Sequence, residues 1–131
     1  MARIVACVEP QFPQEDFSFE SQVRACFTDS GQRPALMTAM ADMAVVKSHN
    51  PFAINDAIFS KVMSYDWRKV NKTGCSLVWG HPQGPTLTRM LIEGLEEAVD
   101  LGGGLVLLFG CAAGDMGIAA LLKVTEGGES R

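Results

Sequence analysis

"LVLLFGCAAGDMGIAALLKV", Leu105 to Val124, decides how this chain ends its fold. Leu105–Phe109 is a purely apolar run, and Ile118–Val124 is a second one interrupted only by Lys123. Between them, "GCAAGDMG" is too rich in glycine to be anything but a turn. Two apolar strands joined this way form a hairpin, so the last strand is antiparallel. The residues after Val124, "TEGGESR", read as a flexible tail at 125–131, which leaves a folded domain over 1–124.

Moving outward, "GPTLTRMLIEGLEEAVDLGGG" precedes the hairpin and is the clearest helix. Leu87, Met90, Leu91, Gly94, Leu95, Ala98 and Leu101 recur at steps of three and four, and glycines end it. Glu93, Glu96, Glu97 and Asp100 read as its solvated face. "CSLVW" (Cys75–Trp79) reads as a strand before it. "NPFAINDAIFSKVMSYD" reads as a helix from Pro51 to about Ser64, with Asn50 as N-cap and proline at the first helical position. Its apolar residues, Phe52, Ile54, Ile58, Phe59, Val62 and Met63, cover more than one face. "MAVVKS" is a further strand, Pro34 to Ala41 a helix, and "RIVACV" the opening strand. Strands alternating with helices and closing in a hairpin give a layered α/β domain with a five-stranded mixed sheet.

Composition narrows the function classes. At 131 residues the chain is one domain, and 47% hydrophobic content suffices for an ordinary core. A net charge of -4 with no basic stretch argues against nucleic acid as a partner. No stretch approaches the length of a membrane helix, and the N-terminal apolar run is too short for a signal peptide, so we expect no membrane partner and a cytoplasmic location. Cys7, Cys26, Cys75 and Cys111 show no paired spacing and read as free thiols in a reducing compartment.

Three polar groups follow apolar runs: Ser48-His49-Asn50, Gly80-His81-Pro82 and Gly110-Cys111-Ala112. Ligands in α/β sheets collect beyond the carboxyl ends of parallel strands, so the three can converge. A lone histidine is more often a structural cap; three chemistry-bearing groups at strand exits are harder to assign to chance. A Cys–His pair serves nucleophilic or acid–base chemistry, and an imidazole N–H can donate to an oxyanion. A zinc site is disfavoured because the three ligands are single and far apart, and no metal is expected. "FGCAAGD" is similar to a nucleotide-binding glycine loop, but too little chain follows it for further β–α units.

Taken together, the motifs resemble the C-terminal half of the thiolase superfamily. "VNKTGCSLVWGHPQGPTLTRMLIEGL" is similar to the family's G-H-P-x-G segment, "FGCAAGDMGIAALLKV" to its final C-x-G hairpin, and "VKSHNPFAIND" to its N-E-A-F segment in the variant that begins with histidine. The resemblance implies a three-layer α/β/α half-domain. It implies that His81 activates a nucleophilic cysteine and lines an oxyanion hole. Cys111 would be the acid/base at the substrate's second carbon. His49 stands where many members have a water-positioning asparagine. Ala113 and Gly114 would lend backbone N–H groups to an oxyanion hole, although Ala113 replaces the family's glycine. Phe52 and Gly84 would contact substrate, although "GPTL" departs from the family's G-A-S-G. The substrate would be an acyl-CoA thioester, with no separate cofactor, in a Claisen-type acyl transfer. None of Cys7, Cys26 or Cys75 has a nucleophile context, so an N-terminal-half subunit, or a homo-oligomer mimicking it, is expected as partner. The chain alone is then inactive. The alternative is a non-catalytic thiolase-like module that binds a partner or an acyl chain.

Overall fold

A computed structural model describes residues 2–8, 40–112 and 116–125, giving the backbone alone for 2–8, 111–112 and 116–117. Four strands pair in the order β1–β4–β3–β2: β1 (Ala2–Val8), β2 (Met43–Ser48), β3 (Gly103–Ala112) and β4 (Met116–Thr125). β2 runs parallel to β3, while β4 is antiparallel to both β3 and β1, so the sheet is mixed, with its last strand antiparallel.

Among the described residues three α-helices accompany the sheet: α1 (Ile54–Met63), α2 (Ser76–Trp79) and α3 (Thr86–Asp100). Alternation along β3 divides the core in two. Leu107 and Phe109 face α1 and pack with Val46, Phe59 and Met63. Val106 and Leu108 face α3 and pack with Val45, Leu122 and Ala98. The result is a helix–sheet–helix sandwich. Phe59, fully buried, stacks on Phe109 with ring centroids 4.3 Å apart. Gly94 lets α3 sit close to the sheet: a Cβ there would lie 3.1 Å from Val106 and 3.4 Å from the Lys47 stem.

Several expectations change. "CSLVW" is not a strand; Ser76–Trp79 form the short helix α2, and four strands replace five among the described residues. The place beside β2 is already taken. Val70 bridges to Val46, and Asn71, with φ at 53°, turns the chain away from the sheet. A short apolar run cannot itself distinguish strand from helix. Here Leu77, Val78 and Trp79 are 52–66% exposed, the opposite of a buried strand. The helix read from Pro51 begins at Ile54, with Ala53 and not Asn50 as its N-cap. Asn50 is fully buried, and its side chain serves other partners described below. The hairpin strands run further than expected: the ladder continues through Cys111↔Gly117 and Ala112↔Met116, so Cys111 lies in a strand. The acidic face of α3 is mixed, since Glu97 is buried and Glu93 half-buried. The helix read over Pro34–Ala41 lies almost entirely outside the described residues; Met40–Asp42 form a 3-10 turn. β4 runs to Thr125, and the tail beyond it is outside the described residues. No helix among those described is long and apolar enough to cross a membrane.

Candidate functional site

Because β2 and β3 are parallel, their carboxyl ends reach the same edge of the sheet, where Ser48 pairs with Phe109. His49 extends this ladder by one residue, its N–H donating to the Phe109 carbonyl at 2.9 Å. Its ring lies over Gly110. A Cβ on Gly110 would fall 3.0 Å from the His49 Cβ and 2.7 Å from Leu87 Cδ2, closer than side chains approach. Glycine there is what allows the imidazole, the β3 backbone and the first turn of α3 to meet.

His81 arrives by another route. It follows a helix and not a strand, through Gly80 at φ 85°. Its Nδ1 lies 3.2 Å from His49 Nε2 and 2.9 Å from Thr86 Oγ1. The two ring centroids are 4.4 Å apart, with planes inclined by 50°. His49 is buried and His81 exposed, so the pair has one sealed and one solvent-facing member. With Nδ1 engaged by both Thr86 and His49, the remaining nitrogen of His81 is the one available to an incoming group.

A polar scaffold holds both approaches. Asn71 grips the end of β2: its Oδ1 accepts from the Ser48 N–H at 2.9 Å, and its Nδ2 donates to the Ser48 carbonyl at 3.1 Å. That side chain imitates a strand's pair of ladder bonds. Asn50 Oδ1 accepts from the Ser76 N–H at 3.2 Å, tying the start of α2 to the end of β2, and Asn50 Nδ2 donates to Asp56 at 2.6 Å. Burial raises the Asp56 carboxyl above its ordinary value, and the hydrogen bond from Asn50 opposes the rise. Arg89 of α3 donates to the Gly80 carbonyl at 3.1 Å and to Ser76 Oγ at 3.4 Å, bracing the turn before His81. Arg89 also pairs with Glu93 at 3.3 Å.

Of the residues picked from sequence, His49 and His81 are brought together. The Cys111 backbone follows Gly110 directly, beside His49; its side chain lies outside the described residues, as do Ala113 and Gly114. Phe52 is 68% exposed ahead of α1, and Gly84 lies in an exposed turn with open space around it. Thr86, Asn71 and Arg89 were not anticipated. Asn71 carried a signal, a residue tolerant of left-handed backbone in a polar turn three residues before a glycine. Thr86 carried none beyond its place near Pro85. Among the described residues, no three His, Cys, Asp or Glu side chains gather to hold a metal.

The sequence pattern of the thiolase C-terminal domain matches residues 2–124. The chain belongs to the thiolase family. This thiolase domain is 33% identical over 104 residues to the 3-ketoacyl-CoA thiolase of Pectobacterium atrosepticum, an alignment covering 66% of this chain and 24% of that protein. To the 3-ketoacyl-CoA thiolase of Vibrio cholerae it is 46% identical over 59 residues, covering 45% of this chain and 14% of the relative. Among solved structures, human mitochondrial 3-ketoacyl-CoA thiolase superposes with a TM-score of 0.78 at 25% identity, over 95% of this chain and 30% of that one. The Acat5 thiolase of Ascaris suum, solved with coenzyme A, superposes at 0.71 and 22% identity, over 94% of this chain and 31% of that one. The thiolase domain thus spans about a quarter of the length of the first of these curated relatives.

Proposed function

We propose that this domain supplies the histidine-bearing half of a thiolase-type acyltransferase that cleaves or forms a carbon–carbon bond on acyl-CoA thioesters. The observation that carries it is the His49–His81 contact, 3.2 Å between ring nitrogens, braced by Thr86. An imidazole fixed at Nδ1 can remove a thiol proton with its other nitrogen, or donate there to a thioester oxygen as it becomes an oxyanion. His81 takes that role. His49, in place of the asparagine common at this position, orients His81 and a water. Cys111 gives its own thiol proton to the second carbon of the leaving thioester and is left as a thiolate, while His81 keeps the proton taken from the nucleophile. The backbone N–H groups at Ala113 and Gly114 hold the thioester oxygen, and Phe52 and Gly84 line the path of the acyl-CoA.

The nucleophilic cysteine comes from a thiolase N-terminal half, on a partner chain or elsewhere in a longer protein. The exposed apolar residues around α1 and α2, among them Phe52, Ile54, Val78 and Trp79, are the surface that half would cover. A second reading, a module that holds an acyl chain without chemistry, draws on a cavity of about 400 Å³ between α3 and the hairpin, lined by Leu87, Leu91, Leu95, Leu108, Ile118 and Leu122.

Thiolysis of acetoacetyl-CoA separates these readings. The 131-residue chain alone should be inactive. With the N-terminal half supplied, activity should appear and fall by about 10²–10⁴ on His81→Ala. Turnover by the chain alone, or an assembled enzyme indifferent to His81→Ala, would overturn the proposal. Tight binding of a fatty acyl chain, with no turnover in any assembly, would favour the second reading.

A further inference from the structure

A lysine and a glutamate are sealed between β2 and α3. Lys47 is fully buried, Glu97 is 9% exposed, and Lys47 Nζ lies 2.8 Å from Glu97 Oε2. Thr73 completes the set: its hydroxyl donates to Glu97 Oε2 at 3.1 Å and accepts from Lys47 Nζ. A buried ion pair is weak evidence for stability, because apolar residues of similar volume often serve as well or better. Its presence calls for another role, and its place in the fold supplies one.

Lys47 and His49 are two residues apart along one strand path and so share a face. α3 lies along that face. Its Glu97 meets the Lys47 ammonium, its Gly94 meets the Lys47 stem, and its Leu87 meets the Gly110 position beneath His49. Thr86, the first residue of the same helix, holds His81 Nδ1. Any slide or roll of α3 on β2 therefore moves Thr86 and His81 relative to His49. The apolar contacts along this interface are non-directional and tolerate such a slide. A charged pair with a bridging hydroxyl has one best geometry. Thr73 also sits in the segment between Asn71, which grips β2, and Gly74, against which Trp79 of α2 packs. The triad ties together β2, which leads to His49, the 71–74 segment, which leads through α2 to His81, and α3, whose Thr86 holds His81.

We propose that Lys47, Glu97 and Thr73 are positioning residues that fix the register of α3 on β2 and so hold His81 against His49. The idea rests on reading the two histidines as the working pair, so its test follows their rings and not turnover. The chain has two histidines, and ¹⁵N labelling of histidine alone yields an NMR spectrum of two imidazoles. In the parent, ring-to-ring contacts and a slowly exchanging ring N–H are expected. Lys47→Met combined with Glu97→Leu removes both charges and keeps the bulk. The expected result is a melting temperature within a few degrees of the parent, loss of the ring-to-ring contacts, and ring N–H exchange faster by about tenfold or more. A folded double variant with both rings unchanged overturns the proposal. If the double variant does not fold, Glu97→Gln carries the test, since it keeps volume and one acceptor. Faster ring exchange then supports the proposal, and unchanged exchange overturns it. Thr73→Ala should move the spectrum in the same direction, and Thr73→Ser should restore it. An enzyme found inactive in every assembly, with intact ring contacts, would count against the proposed function and leave the positioning role standing.

Discussion

The β2–α3 interface and the outer surface of α1 and α2 are built from opposite materials. The first buries Lys47, His49, Thr86 and Glu97, all at 9% exposure or less, with Lys47 paired to Glu97 and Thr86 linked to His49 through His81. The second leaves Phe52, Ile54, Leu77, Val78 and Trp79 at 52–68% exposure. Burying polar groups costs free energy unless every member finds a partner, so such burial is kept where geometry matters. Exposing large apolar groups in one region is equally unusual and marks a surface built for covering. One region is completed by hydrogen bonds and ion pairs among the described residues; the other is the surface that the proposed function leaves for a thiolase N-terminal half.

The sharpest way to break that contrast is to remove one charge from the finished side. Lys47→Ala leaves Glu97 buried without its cation and should cost about 3–5 kcal/mol of folding free energy. Val78→Ser on the open side should stay within about 0.5 kcal/mol. Urea titration of both variants gives the numbers. Similar costs for the two would mean that the buried pair is no more constrained than the surface.

A smaller loss is expected at Gly110. Gly110→Ala places a methyl group 2.7 Å from Leu87 and 3.0 Å from His49, so one of them must move. Overpacking of this kind costs about 1–3 kcal/mol. The histidine ring signals should shift in the same variant. A stable Gly110→Ala protein with unshifted rings would show that the close approach at this edge is not needed.

The open side is tested by association. Phe52→Ser with Trp79→Ser should leave the unfolding free energy of the isolated chain almost unchanged, since both side chains are already largely in water. Light scattering should nonetheless report loss of self-association, or of complex formation with a thiolase N-terminal half. A parent chain that remains a clean monomer at high concentration, and ignores the N-terminal half, would leave the exposed residues with no partner to explain them.

These regions were unequally legible in the sequence. The hairpin and α3 could be read directly, because two apolar runs flank a glycine-rich turn and the Leu87–Leu101 spacing recurs at helical steps. Helix α2 could not. Four residues, "SLVW", satisfy a strand and a helix equally, and the choice was made by Asn71 and Val70 occupying the edge of β2. Glu97 was misplaced on the solvated face because acidic residues usually lie there, yet its spacing from Met90 and Gly94 puts it on the buried stripe. Lys47 inside the apolar run "MAVVKS" was the matching clue, since a lysine amid buried neighbours needs a counter-charge. The meeting of His49 and His81 was anticipated from strand exits. It occurs for a different reason, a glycine-hinged helix end braced by Arg89 and Thr86.

The smallest expected effect lies where the two regions join, at Asp56 on the inner side of α1. Its carboxyl accepts from Asn50, whose own oxygen holds α2 in place. Burial dominates its electrostatics and raises its proton affinity in the folded state above that of the unfolded chain. A carboxyl raised in this way favours folding most when protonated. Its contribution is fully present below the unfolded value and is lost as pH rises through the raised folded value. Asp56→Asn keeps an acceptor for Asn50 and removes the charge, so the variant should gain stability relative to the parent as pH goes from acid to neutral. Melting temperatures of both proteins across that range measure the difference. A gap that stays level with pH, or narrows toward neutrality, would mean that the hydrogen bond from Asn50 outweighs burial, and that the junction between the two regions is better hydrated than its geometry implies.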